Sequence, residues 1–170
     1  DMLDFILHML AKLLVERAKR LIHQNQIMQA SHRNGGGTSH TVADELLEPT
    51  RIYVKPALAA LATFDVAAVC HITGGGLPDN LPRVLGEGCA VEIQLDAWER
   101  PAVFRYLQEA GAVPESDMLR TFNCGIGLVM VVPESQVADI IAHFDKSDIG
   151  AYAIGTIVEA TDDEEPVRFQ

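Results

Sequence analysis

Residues 70–85 read CHITGGGLPDNLPRVL. An apolar run ends at Ile72, Thr73 and three glycines follow, and a helical turn begins near Leu77–Asp79. Glycine loses more freedom on folding than any other residue. A triplet therefore implies a backbone that must pass close to something, or turn where side chains are resisted. Glycines at a strand-to-helix turn expose successive N–H groups that can line an anion; the competing reading is a turn without a ligand. The spacing is neither G-x-G-x-x-G nor the Walker pattern, because no Gly-Lys-Ser/Thr follows. His71 shares a strand face with Val69 and Thr73. It stands at the carboxyl end of the strand, where open α/β sheets bind ligands. It reads either as an acid, base or phosphate contact, or as a hydrogen-bonded structural histidine.

On either side of this turn, strands and helices alternate. Residues 54–64 carry Val54, Leu58, Leu61 and Phe64 at helical spacing, with Pro56 acceptable in a first turn. Residues 66–72 form the strand entering the turn, and residues 89–95 alternate Cys89, Val91, Ile93 and Leu95 as a half-buried strand. Val103, Tyr106, Leu107 and Ala110 mark a helix ended by Gly111, and residues 114–121 a shorter one. Residues 126–132 read as a central strand, Val137 to Phe144 as a helix, and residues 151–159 and 167–169 as strands. The expected class is α/β (α+β), a mixed sheet covered by helices.

Two further polar islands stand out. In RTFNCGIG (120–127), Asn123 either caps a turn or bonds a ligand amide or hydroxyl. In EPTRIYVK (48–55), Thr50 and Arg51 open a helix, a place that suits capping or an anion site.

Composition narrows the partners. The 170 residues carry a net charge of −11 and 48% apolar residues, an ordinary globular composition that excludes free nucleic acid as a partner. Three cysteines, Cys70, Cys89 and Cys124, suggest neither a disulfide framework nor a metal clip, and read as reduced thiols of a cytoplasmic protein. No signal peptide or membrane span is expected, because Asp4, His8 and Lys12 interrupt the first apolar stretch.

The amino-terminal part differs from the rest. Residues 1–41 hold five basic and three acidic side chains, a net +2, which leaves −13 to residues 42–170. Asp4, His8, Lys12, Glu16 and Arg20 recur every fourth residue and form one narrow polar stripe on an otherwise apolar helix. Such a helix must be buried against its own domain or a second copy. Residues 1–30 are thus expected as an amphipathic helix, residues 31–40 (SHRNGGGTSH) as a flexible linker, and residues 41–170 as the main domain.

Three stretches taken together are more specific than any alone. EPTRIYVKP (48–56), HITGGGLPDNLPRVL (71–85) and RTFNCGIGLVMVVP (120–133) resemble, in order and spacing, the C-terminal domain of the aminoimidazole ribonucleotide synthetase (phosphoribosylformylglycinamidine cyclo-ligase) family. DAWERPAVFRYLQEAG (96–111) fits the same region. The likeness runs from about Thr41 to Gln170. It implies purine biosynthesis: ATP, with Mg²⁺, activates the formyl-amide oxygen of formylglycinamidine ribonucleotide, and an internal nitrogen closes the imidazole ring. It also implies that Thr73, Gly74, Gly75 and Gly76 approach a phosphate or the substrate, and that catalytic His71 and Asn123 face one cleft. Thr50, Arg51 and Arg83 are further contacts of the phosphorylated ribonucleotide.

The family enzyme has an N-terminal domain that supplies most ATP and metal contacts, and residues 1–40 do not resemble it. The expectation is an isolated C-terminal domain, from a foreign or designed fusion or a truncated gene. It should lack turnover alone and bind neither ATP nor Mg²⁺ tightly. The alternative is a non-catalytic α/β module that self-associates or binds a partner through residues 2–22. Either way a homo-oligomer through residues 2–22 or an exposed domain face is expected. Deleting residues 1–30 should cause aggregation or change the oligomeric state on sedimentation analysis; an unchanged soluble monomer would refute this.

Overall fold

The structure, a computed structural model, describes residues 46, 49–160 and 164–170. The expected amino-terminal helix and linker lie outside the described residues. The chain divides into two compact units, residues 1–50 with 102–114, and residues 51–101 with 115–170. In the first, the described element is the helix α3 (Ala102–Gly111). It carries Gly111 as its last residue, and the left-handed position that follows is Ala112, φ 47°. All other elements belong to the second unit.

That unit begins with α1 (Val54–Thr63), followed by β1 (Ala68–His71), the short α2 (Gly76–Asn80) and a 3₁₀ turn, Leu81–Arg83. Next come β2 (Cys89–Ile93), α4 (Glu115–Thr121) and β3 (Leu128–Val131). A second 3₁₀ turn, Glu134–Gln136, leads into α5 (Val137–Asp145), and β4 (Gly155–Glu159) and β5 (Val167–Phe169) close the chain. These elements make two sheets. β1 and β3 pair antiparallel, with Cys70 opposite Val129 and His71 opposite Leu128. β2 lies between β4 and β5, antiparallel to the first and parallel to the second, so this sheet is mixed. The α/β class with helices and a mixed sheet is therefore the observed one. β3, expected as a central strand, pairs with β1 alone among the described residues. The strand that does lie centrally is β2. It buries Ala90 as well as Val91 and Ile93, so the sequence alternation of Cys89, Val91, Ile93 and Leu95 describes only one of its two covered faces.

Strand alternation places the two cores. Cys70 and Val129 join Ile72, Leu77, Leu81, Val91, Ile93, Trp98, Ile126 and Val167. From the next position along β3, Met130 joins Ala60, Phe64, Ile140 and Phe144, so α1 and α5 cover the opposite face of the β1–β3 sheet. Leu77 and Ile93 are each 1% exposed, worth about 1.5–3 kcal/mol apiece in apolar burial.

The face that α1 buries differs from the one its apolar spacing suggests. Val54 (60%), Leu58 (61%) and Leu61 (46%) are open to solvent, together with Ile52 (80%), while Ala60 is fully buried against Ile140 and Phe144. A small side chain lets α1 approach α5 closely, and the larger apolar residues point away. Leu58→Ser should leave unfolding free energy within about 0.5 kcal/mol of the parent. Phe144→Ala should cost about 3–5 kcal/mol and Ala60→Leu about 1–3 kcal/mol by overpacking, all read by urea denaturation. A large loss from Leu58→Ser would contradict the packing described.

Candidate functional site

The triple-glycine turn is held by neighbours in the same unit. The Ile72 amide donates to the Gly127 carbonyl at 2.9 Å, tying the end of β1 to the loop before β3. The Gly76 amide donates to the Thr73 carbonyl at 3.0 Å and closes the turn. Gly75 and Gly76 have φ of 98° and 56°, the left-handed region that other residues resist. A side chain on Gly76 would overlap the Leu119 carbonyl oxygen and approach that of Phe122 to 2.7 Å. One on Gly75 would crowd Asp79, whereas one on Gly74 would meet nothing within 4 Å. The close approach that demands glycine is thus made largely by the protein's own backbone, at the end of α4. Only Gly74 turns an unobstructed backbone to solvent.

Beneath the turn lies Asn80, 3% exposed and the one buried polar residue among those described. Its Nδ2 lies 2.8 Å from the Gly76 carbonyl, 3.2 Å from that of Gly74 and 3.4 Å from that of Thr73. Its Oδ1 accepts from the Thr73 hydroxyl at 3.4 Å. The Asn80 main-chain carbonyl accepts from the Cys70 thiol at 3.3 Å. Burial raises the pKa of that thiol, and the charge of Arg83 acts in the opposite sense. Arg83 is exposed at the end of the 3₁₀ turn.

The second polar island also folds as a turn. Asn123 Oδ1 accepts from the Gly125 amide at 3.0 Å, and its carbonyl accepts from Ile126 at 2.9 Å. Cys124 between them has φ 49°, a strained position for a side-chain-bearing residue. Trp98 Nε1 donates to the Cys124 carbonyl at 3.0 Å and locks it. Burial raises the Cys124 thiol pKa, with Arg100 opposing the shift and Glu115 adding to it. This is the capping role for Asn123, and it leaves the Asn123 carboxamide nitrogen without a hydrogen bond among the described residues.

His71 is exposed. Its ring meets Tyr53 edge-on, with centroids 6.3 Å apart. The Tyr53 hydroxyl sits where a side chain on Gly127 would be, so Tyr53, His71 and Gly127 form one corner at the end of β1. Thr73–Gly76 form the adjoining stretch, and the carbonyl of Phe122, between α4 and Asn123, lies against Gly76. Arg51 is turned elsewhere. Its Nη1 donates to the Asp148 carbonyl at 3.0 Å, while Thr50 is exposed. Arg51 and Tyr53 also line a largely apolar cavity of about 1080 Å³ along β3, α5 and residues 149–157. His71, Thr73–Gly76 and Asn123 do not line it.

Asn80 and Tyr53 were not among the residues singled out from sequence. Tyr53 lies within EPTRIYVKP, and Asn80 follows the glycines by four residues, but neither position announces a role until the chain is folded. Among the described residues no three His, Cys, Asp or Glu side chains gather to hold a metal ion. No described helix is long and apolar enough to cross a membrane.

Comparison with known proteins adds to this geometry. The family described as "AIR synthase related protein, C-terminal domain" matches residues 14–167. Phosphoribosylformylglycinamidine cyclo-ligase of Citrifermentans bemidjiense is 47% identical over 123 residues, covering 72% of this chain and 35% of that protein. The enzyme of the same description from Geobacter metallireducens is 45% identical over 133 residues, covering 78% and 38%. The chain thus spans about a third of the length of these relatives. Among solved structures, E. coli HypE, a hydrogenase maturation protein, matches at a TM-score of 0.50 and 24% identity, over 68% of this chain and 35% of that one. It shares the fold.

The loop geometry separates the three glycines. Gly76→Ala should destabilise by more than about 1–3 kcal/mol, since left-handed strain adds to overlap with the Leu119 carbonyl. Gly74→Ala should change stability by less than about 0.5 kcal/mol. Thermal unfolding of the two variants checks this, and equal losses would contradict the assignment.

Proposed function

Because this chain belongs to the family of AIR synthase related C-terminal domains, we propose that it forms the ribonucleotide-facing part of a cytoplasmic, ATP-dependent cyclo-ligase of purine biosynthesis. The reaction closes the imidazole ring of formylglycinamidine ribonucleotide to give aminoimidazole ribonucleotide. ATP transfers its terminal phosphoryl group to the formyl-amide oxygen and leaves as ADP. An internal nitrogen attacks the activated carbon, inorganic phosphate departs with that oxygen, and one proton is lost.

The observation that carries this reading is the open Gly74 in a turn whose other two glycines are committed to packing. The amides of Thr73, Gly74 and Gly75 make no hydrogen bonds with the described residues and are available to a phosphate oxygen. His71, exposed beside them, is the group assigned to take the proton. The unspent Asn123 carboxamide nitrogen donates to the substrate, and Arg83 supplies positive charge. Arg51 is a weaker member of this site, since it is directed to Asp148. ATP and Mg²⁺ act in the full-length enzyme. Turnover belongs to the enzyme with its remaining two thirds.

One observation favours a second reading, a module that binds a protein partner or a second copy: the exposed apolar stripe of Ile52 and, on α1, Val54, Leu58 and Leu61. Calorimetric titration decides. Formylglycinamidine ribonucleotide should bind the chain without ATP. Gly74→Val should weaken that binding by roughly tenfold or more, the loss of one charge-assisted hydrogen bond, with an unchanged melting temperature. Silence from both the ribonucleotide and ATP–Mg²⁺, with concentration-dependent self-association, would establish the second reading instead.

A further inference from the structure

We propose that Asn80 is a positioning residue: its buried carboxamide turns the Gly74 and Gly75 amides outward and so prepares the loop for a phosphate. The proposal rests on the loop reading above and says how the loop acquires that geometry. A trans peptide holds its C=O and N–H on opposite sides of one plane, and no described peptide is cis. The carbonyls of Thr73 and Gly74 point to Asn80 Nδ2, at 3.4 and 3.2 Å. The amides across those same two peptides are the N–H groups of Gly74 and Gly75, which must face away from Asn80. Both are free of hydrogen-bond partners among the described residues, and the backbone at Gly74 is unobstructed. The third contact, 2.8 Å to the Gly76 carbonyl, anchors the carboxamide at the start of α2. The contact between Thr73 Oγ1 and Asn80 Oδ1 occupies its acceptor.

The role needs a donor on a short side chain. Aspartate in the same volume presents two acceptors to three carbonyl oxygens and repels them, which frees the two peptides to flip. Leucine fills the space but leaves the carbonyls unpaired in a 3% exposed site, a cost specific to buried acceptors. Neither change touches the ligand directly, so an effect on binding must pass through the backbone.

Amide hydrogen exchange and ¹H–¹⁵N spectra of the chain test this. In the parent protein the Gly74 and Gly75 amides should exchange freely while the Asn80 carboxamide protons are protected. Protected glycine amides would overturn the proposal without any variant. Inorganic phosphate, and separately formylglycinamidine ribonucleotide, should shift the Gly74 and Gly75 resonances of the parent. Asn80→Asp should retain the dispersed core signals of Leu81 and Ile93, yet lose at least roughly tenfold in affinity for both probes. Gly74 and Gly75 should be the residues whose free-state shifts move most. A folded Asn80→Asp that binds like the parent sinks the positioning role alone. A parent that responds to neither probe sinks the loop reading, and the positioning role with it. If Asn80→Asp does not fold, Asn80→Ser takes its place, because its shorter hydroxyl donates to one carbonyl at most and the same loss of affinity is expected.

Discussion

The contact between the Asn80 carboxamide and the carbonyls of the glycine turn ties the end of β1, the turn and α2 together within residues 70–80. Through its side chain Asn80 holds Thr73, Gly74 and Gly76, and through its main chain it receives the Cys70 thiol of β1. On the far side of the turn, Gly76 lies against the Leu119 and Phe122 carbonyls, so α4 and α2 meet with no side chain between them. A buried polar group must be satisfied or it destabilises the fold, and here its satisfaction shapes a loop. Core and site are therefore a single structural problem at this point.

The strand leading into the loop is constrained as firmly. Cys70 and Ile72 face the larger apolar cluster, and the Ile72 amide bonds to the Gly127 carbonyl. Alternation then sends His71 to the other face, where Tyr53 packs edge-on against it. The Tyr53 hydroxyl lies over Gly127, whose lack of a side chain admits it. The corner depends on residues drawn from three separate stretches, and these are the stretches that carry the resemblance to the cyclo-ligase family.

Much of the fold was legible. Apolar runs and alternation placed every described strand within a few residues, and the helices at 54–63, 102–111, 115–121 and 137–145 followed from spacing and turn residues. The failures share a cause. The stripe on α1 was visible, but whether Val54, Leu58 and Leu61 or Ala60 faces inward depends on how closely α5 approaches. β3 was visible as an apolar strand, but whether it is central depends on what pairs with its second edge. In the site, glycine spacing revealed a loop and left its neighbour unnamed, because the closest neighbour of Gly76 is a carbonyl 43 positions away.

The amino-acid sequence by itself determined the family, the α/β class and the location of the loop, because these depend on local pattern and on motifs read in order. Only the tertiary structure decided why Gly75 and Gly76 are glycine, which face of α1 is buried, and that Asn80 and Tyr53 stand beside the loop. Those facts depend on distances between residues remote in the chain. A linear pattern records what a residue prefers, whereas close packing settles which of its preferences is met.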